Sequence, residues 1–118
     1  MKHTVTYYIT LPINKVDSEM PTKFHFRNGL DVYLTTHYYW TPVDGKGKLR
    51  VRISTSSAFP LDVGAKIKIG EQITEYNDLK MHYGWEDIYS PIIDQNLFKN
   101  NELKVSIIVV LKQRPFVF

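Results

Sequence analysis

Apolar side chains recur at every second residue along most of this chain. Val5, Tyr7 and Ile9 alternate with Thr4, Thr6 and Thr10. Phe24 and Phe26 flank His25, and Val32 and Leu34 alternate with Asp31, Tyr33 and Thr35. Leu49, Val51 and Ile53 alternate with Lys48, Arg50, Arg52 and Ser54, and Ala65, Ile67 and Ile69 with Lys66 and Lys68. Leu103, Val105, Ile107, Val109 and Leu111 carry the same period through the last run. Successive residues of a strand point to opposite faces, so a period of two puts one row on a core and the other in water. Enrichment in Val, Ile, Thr, Tyr and Phe suits such a half-buried pleated surface. No window of eleven residues shows a helical period. Asp87 to Gln95 is expected to hold at most a helical turn, its length limited by Pro91.

Turn chemistry punctuates these runs. Asn28-Gly29, Asp44-Gly45-Lys46-Gly47, Pro60, Gly64, Gly70, Asn77-Asp78 and Asn100-Asn101 mark the breaks. Short strands at this spacing predict one all-β domain over residues 1–118, an antiparallel β-sandwich of about eight strands. No repeat, low-complexity tract or linker divides the chain. The last run departs from clean alternation. Ile108 and Val110 are apolar on the face that Lys104, Ser106 and Lys112 make polar. Either a loop or side chain covers that face, or it meets a partner.

Composition narrows the chemistry. The chain has 118 residues, 14% of them aromatic, with no cysteine and a formal net charge of +3. The absence of cysteine excludes disulfides, thiolate metal sites and a cysteine nucleophile. No apolar run approaches the roughly 18 residues of a membrane span. The N-terminal residues lack the apolar stretch of a signal peptide, and there is no Asn-x-Ser/Thr sequon. An intracellular location, cytoplasm or nucleus, is the expectation.

Catalytic patterns are missing. No nucleophile elbow, phosphate-cradling glycine loop or His-Glu-x-x-His occurs. His3, His25, His37 and His82 pair with nothing at metal-ligand spacing, so no metal or cofactor is expected. Glu86 and Asp87 are adjacent and would point to opposite faces of a strand, which suits no acid/base pair. The chain is expected not to be an enzyme. Two basic combs, Lys48-Arg50-Arg52 and Lys66-Lys68, each line the wet face of a strand. Placed side by side with aromatics between them, they would suit a nucleic acid. Tyr38-Tyr39-Trp40 could supply those aromatics, stack on a sugar, or plug one end of the sandwich. The richest segment runs from Tyr76 to Tyr89, where Tyr83 and Trp85 bracket Gly84. A glycine there permits a bulge that re-aims its neighbours, and large amphipathic aromatics beside an edge make peptide anchors. Trp85 would otherwise fill the core.

That segment resembles the C-terminal half of a MATH domain, the meprin and TRAF homology family. The resemblance rests on Tyr83-Gly84-Trp85, Ile88, Leu97, Asn100-Asn101-Glu102-Leu103 and the long last strand from Val105 to Leu111. Upstream, Lys48 to Ser54 and Gly64 to Ile69 resemble two of that family's middle strands, and Val5 to Thr10 its opening strand. The resemblance implies an eight-stranded antiparallel sandwich and an intracellular adaptor that binds a short linear peptide of a protein partner beside an edge strand. It implies a groove built from Ile67, Tyr76, His82, Tyr83, Gly84 and Trp85. The alternatives are a nucleic-acid or carbohydrate binder using the combs and Tyr38-Tyr39-Trp40, or a structural subunit that assembles with copies of itself through its edges.

Overall fold

The computed structural model describes residues 3–25, 31–57 and 60–112. Eight strands follow one another: β1 (His3–Pro12), β2 (Val16–His25), β3 (Asp31–Trp40), β4 (Lys46–Thr55), β5 (Leu61–Ile69), β6 (Gln72–Met81), β7 (Gly84–Asp94) and β8 (Glu102–Leu111). They form two four-stranded sheets, in the orders β1-β8-β5-β6 and β2-β3-β4-β7, with every pairing antiparallel. The fold is therefore the all-β antiparallel sandwich that the alternation predicts. Each apolar row turns inward: Leu49, Val51 and Ile53 from β4, Val63, Ala65 and Ile67 from β5, and Val105, Ile107, Val109 and Leu111 from β8. Fully burying a side chain of this size contributes about 1.5–3 kcal/mol, which is what holds the two sheets face to face.

Tight turns follow the residues that permit them. Asp44 and Gly45 both have positive φ, and so do Asn100 and Asn101. Each pair sits between two residues that exchange backbone bonds, Val43 with Lys46 and Lys99 with Glu102. Two consecutive left-handed residues match the right-handed twist of a hairpin, and Asn, Asp and Gly tolerate that conformation best. Trp40 closes the core beside the first turn. It is fully buried, stacks on Phe98 at 5.6 Å, and donates its indole N–H to the Ile13 carbonyl at 3.4 Å. Gly47 makes room for it, since a Cβ there would lie 3.0 Å from the indole ring.

Three expectations change. Gly64 marks no break, because it lies inside β5, opposite the β6 bulge. Asn77-Asp78 is not a turn. It is a bulge inside β6, where one extra residue opposes the Val63–Ala65 segment and Asp78 takes a φ of 61°. The helical turn expected within 87–95 is displaced to its end, because β7 runs through to Asp94 and a 3-10 turn, Gln95–Leu97, begins at the last residue of that stretch. Pro91 is accommodated by a bulge on an edge strand, where the missing N–H interrupts least. Ile108 and Val110 stand half-buried on the outer face of β8, partly screened by neighbouring side chains including Lys112. Phe26, Asn28 and Gly29 lie outside the described residues, as do the side chains of His3, Phe24, His25 and Val32.

The β7 bulge is closed by Ser90. Its buried hydroxyl accepts the Leu49 N–H at 2.9 Å and donates to the Pro91 carbonyl at 2.7 Å. Ser90→Ala leaves the Leu49 amide without a partner in the core. We expect it to lower unfolding free energy by about 1–2 kcal/mol in urea titrations, with the slope unchanged.

Candidate functional site

β6 and β7 form a hairpin that crosses between the sheets, each strand lying at an edge of its own sheet. The connecting residues are His82 and Tyr83. Tyr83 has a φ of 42°, a left-handed conformation that an aromatic residue seldom adopts. Its N–H bonds to the Ser57 carbonyl at 3.3 Å, and its ring tilts against His82 at 5.5 Å. Gly84 carries none of this strain. A Cβ at Gly84 would meet only the His82 carbonyl, at an ordinary 3.8 Å. The re-aiming expected of Gly84 is thus performed by Tyr83. The two aromatics end up exposed, Tyr83 at 66% and Trp85 at 60%, beside a notch of about 160 Å³ lined by Met81, His82, Gly84 and Glu86 among others. Trp85 does not fill the core.

Tyr76 ties the two edges together. Its hydroxyl donates to the Tyr89 carbonyl at 2.7 Å and accepts the Tyr89 N–H at 3.2 Å. Both polar groups of Tyr89 therefore point away from β4. In an antiparallel ladder that makes Arg50/Tyr89 a non-hydrogen-bonded pair, and the pairs two residues on, Arg52/Asp87 and Ser54/Trp85, have the same phase. The backbone N–H and C=O groups of Trp85 and Asp87 thus face the open edge of β7. The Tyr76 phenol fills the third such position, as a strand residue would.

The outward side chains of β7 belong to a charged and aromatic face shared with β4 and β3. Arg52 forms a two-pronged pair with Asp87, at 2.8 Å and 3.0 Å, and lies 4.9 Å from the Trp85 ring centre. Arg50 lies 3.9 Å from the same carboxylate and 4.3 Å from the Tyr39 ring centre. His37 stacks on Tyr39 and lies 3.9 Å from Glu19. The Arg52 hydrogen bonds hold the Asp87 carboxyl below its ordinary range, against the opposing effect of burial. Through Arg52, Asp87 also steadies the exposed Trp85 ring.

The residues expected at the groove separate into two groups. Tyr76, His82, Tyr83, Gly84 and Trp85 gather along the β6–β7 edge. Ile67 does not join them: its side chain is 1% exposed in the core, because the apolar row of β5 faces inward. Lys66 and Lys68 take the outer side of that strand. The two basic combs lie on opposite outer faces, Lys48-Arg50-Arg52 on the β4 sheet and Lys66-Lys68 on the β5 sheet. The Tyr38-Tyr39-Trp40 triplet also splits. Trp40 plugs the core, Tyr38 packs against it, and Tyr39 alone stands on the outer face. Tyr89, Asp87 and Arg52 are site neighbours that the aromatic motif did not single out. A period of two starting from Trp85 would have found the first two. Among the described residues no cluster of three or more His, Asp or Glu is placed to hold a metal.

No family model matches this chain, and no curated protein matches it.

Because the folded Asp87 pKa is depressed, its contribution to stability is complete above the ordinary carboxylate range and is lost as pH falls through the folded value. The stability difference between the native chain and Asp87→Asn should hold steady at neutral pH and shrink below about pH 4. Urea titrations across that range check it, and a difference that grows on acidification contradicts the assignment.

Proposed function

We propose that this chain is a non-enzymatic interaction module of MATH type, an adaptor that takes a short extended peptide of a protein partner along the open edge of β7. The observation that carries the reading is the Tyr76 hydroxyl bonded to both the N–H and the C=O of Tyr89. A single side chain already supplies what an added strand would supply there. The next two outward positions, Asp87 and Trp85, offer the same pair of groups to a peptide. Main-chain pairing of this kind gives affinity, and pockets for alternate side chains give selectivity. The flanking rings of Tyr83, Trp85 and Tyr89 are exposed and amphipathic, as anchors at such edges are. Arg52 and Asp87 hold Trp85 in place before any ligand arrives, which lowers the ordering cost of binding.

The resemblance at Tyr83-Gly84-Trp85 and in the last strand supports the same reading. So does the clustering of five of the six expected groove residues at one edge. Affinity capture from cell extract followed by mass spectrometry tests it, with the native chain compared against Tyr83→Ala and Trp85→Ala. Each substitution should cost about 2 kcal/mol, roughly thirtyfold in affinity, while the variants still melt cooperatively. Capture of the same protein by both variants at native yield would remove this edge as the binding site.

A further inference from the structure

The four sheet edges of this sandwich are treated unequally. β2 carries Asp17, Glu19, Pro21 and Lys23. β6 carries Glu75, Lys80 and the Asp78 bulge, and β7 is closed at one end by the Ser90–Pro91 bulge and the Tyr76 hydroxyl on Tyr89 while Trp85 and Asp87 stay open. Charges, prolines and bulges are the devices that keep an edge from pairing with another chain. β1 has none of them. From His3 to Leu11 it reads His-Thr-Val-Thr-Tyr-Tyr-Ile-Thr-Leu, and its one proline, Pro12, is its last residue.

The phase of β1 can be fixed. Ile13 donates its N–H to the Asn101 carbonyl at 3.0 Å, one step beyond the Pro12/Glu102 pair. Odd-numbered residues of β1 therefore bond to β8, and even-numbered residues turn their N–H and C=O groups to the other edge, which no strand among the described residues occupies. Pro12 fits this phase, since it stands where no ladder bond to β8 is asked of it. The outward-bonding residues are Thr4, Thr6, Tyr8 and Thr10, whose side chains are all exposed, Tyr8 at 84%.

We propose that β1 pairs antiparallel with β1 of a second copy of this chain, joining two β1-β8-β5-β6 sheets into one across a two-fold axis. With the axis at Tyr7, Thr4 faces Thr10 and Thr6 faces Tyr8 of the other copy, giving about eight new main-chain bonds. Thr–Thr and Thr–aromatic neighbours across strands are favourable, and no like charges oppose one another on this face. The charge pattern of β2 suits the same axis. Tyr7 donates its hydroxyl to the Met20 carbonyl at 3.4 Å, so the middle of β2 lies beside the middle of β1. Asp17 and Glu19 then fall on one side of the axis and Lys23 on the other, and the two-fold sets the acidic half of one β2 toward position 23 of its mate. Both β1 edges are consumed and the outer β6 edges are guarded, so the assembly closes at two copies. β7 lies at the opposite side of the sandwich, and the dimer does not depend on the peptide reading.

Sedimentation equilibrium from about 10 μM to about 1 mM reads the outcome, a range that covers weak to moderate association. The mass should rise from 13.8 kDa toward twice that value and stop. Thr6→Lys places two ammonium groups diagonally across the axis and should weaken association at least about tenfold. Mixing Thr6→Lys with Thr6→Glu should restore a dimer containing one of each. Thr6→Pro, which removes an outward N–H and no bond to β8, should weaken association as Thr6→Lys does, with cooperative melting retained. A mass fixed at 13.8 kDa over the whole range, growth beyond two copies, or undiminished association of both folded variants would overturn the proposal.

Discussion

Every sheet that does not close into a barrel ends in a row of unpaired N–H and C=O groups, and this sandwich has four such rows. How each row is answered organises the rest of the molecule. β2 answers with charges and a proline, and β6 with charges and a bulge. β7 answers partly with the Tyr76 hydroxyl and leaves Asp87 and Trp85 open. β1 presents uncharged outward positions throughout. The core, by contrast, asks nothing unusual of the sequence. Its inward rows are mostly aliphatic, and Trp40, the one fully buried ring among the described residues, has a stacking partner and a hydrogen bond.

The strain and the electrostatics concentrate at the β7 end. Tyr83 holds a left-handed backbone that glycine would adopt at no steric cost, yet Gly84 next to it has an ordinary one. Such a conformation persists where surrounding structure over-determines it, here through the Ser57 carbonyl and the His82 ring. One carboxylate, Asp87, organises the neighbouring face by holding Arg52 against Trp85 and drawing in Arg50. An exposed tryptophan held this way keeps its large apolar surface in water at a fixed orientation, which favours a partner over collapse onto the domain.

Strands and the inward rows were legible because a period of two states which residues share a face. The hairpins at Asp44-Gly45 and Asn100-Asn101 were legible from residues that tolerate positive φ. The bulges were not, because a bulge and a turn use the same residues, as Asn77-Asp78 illustrates. Pairing order was also hidden. The basic combs on β4 and β5 look alike in sequence, and only the assignment of those strands to different sheets places them on opposite faces. Ile67 shows the cost of carrying a groove over by resemblance: its row was readable as core from the alternation alone. The Tyr76–Tyr89 bond had no sequence signature beyond two tyrosines thirteen residues apart.

Strand addition at β7 depends on the phase of that edge, and amide hydrogen exchange reads that phase directly. In the unliganded chain, the amides of Trp85 and Asp87 should exchange rapidly, and that of Tyr89 slowly. Tyr76→Phe should bring Tyr89 to the rate of its two neighbours while Ile88, bonded toward β4, stays protected. Protection at Trp85 and Asp87 with rapid exchange at Ile88 would invert the phase and contradict the open edge on which the proposed function rests.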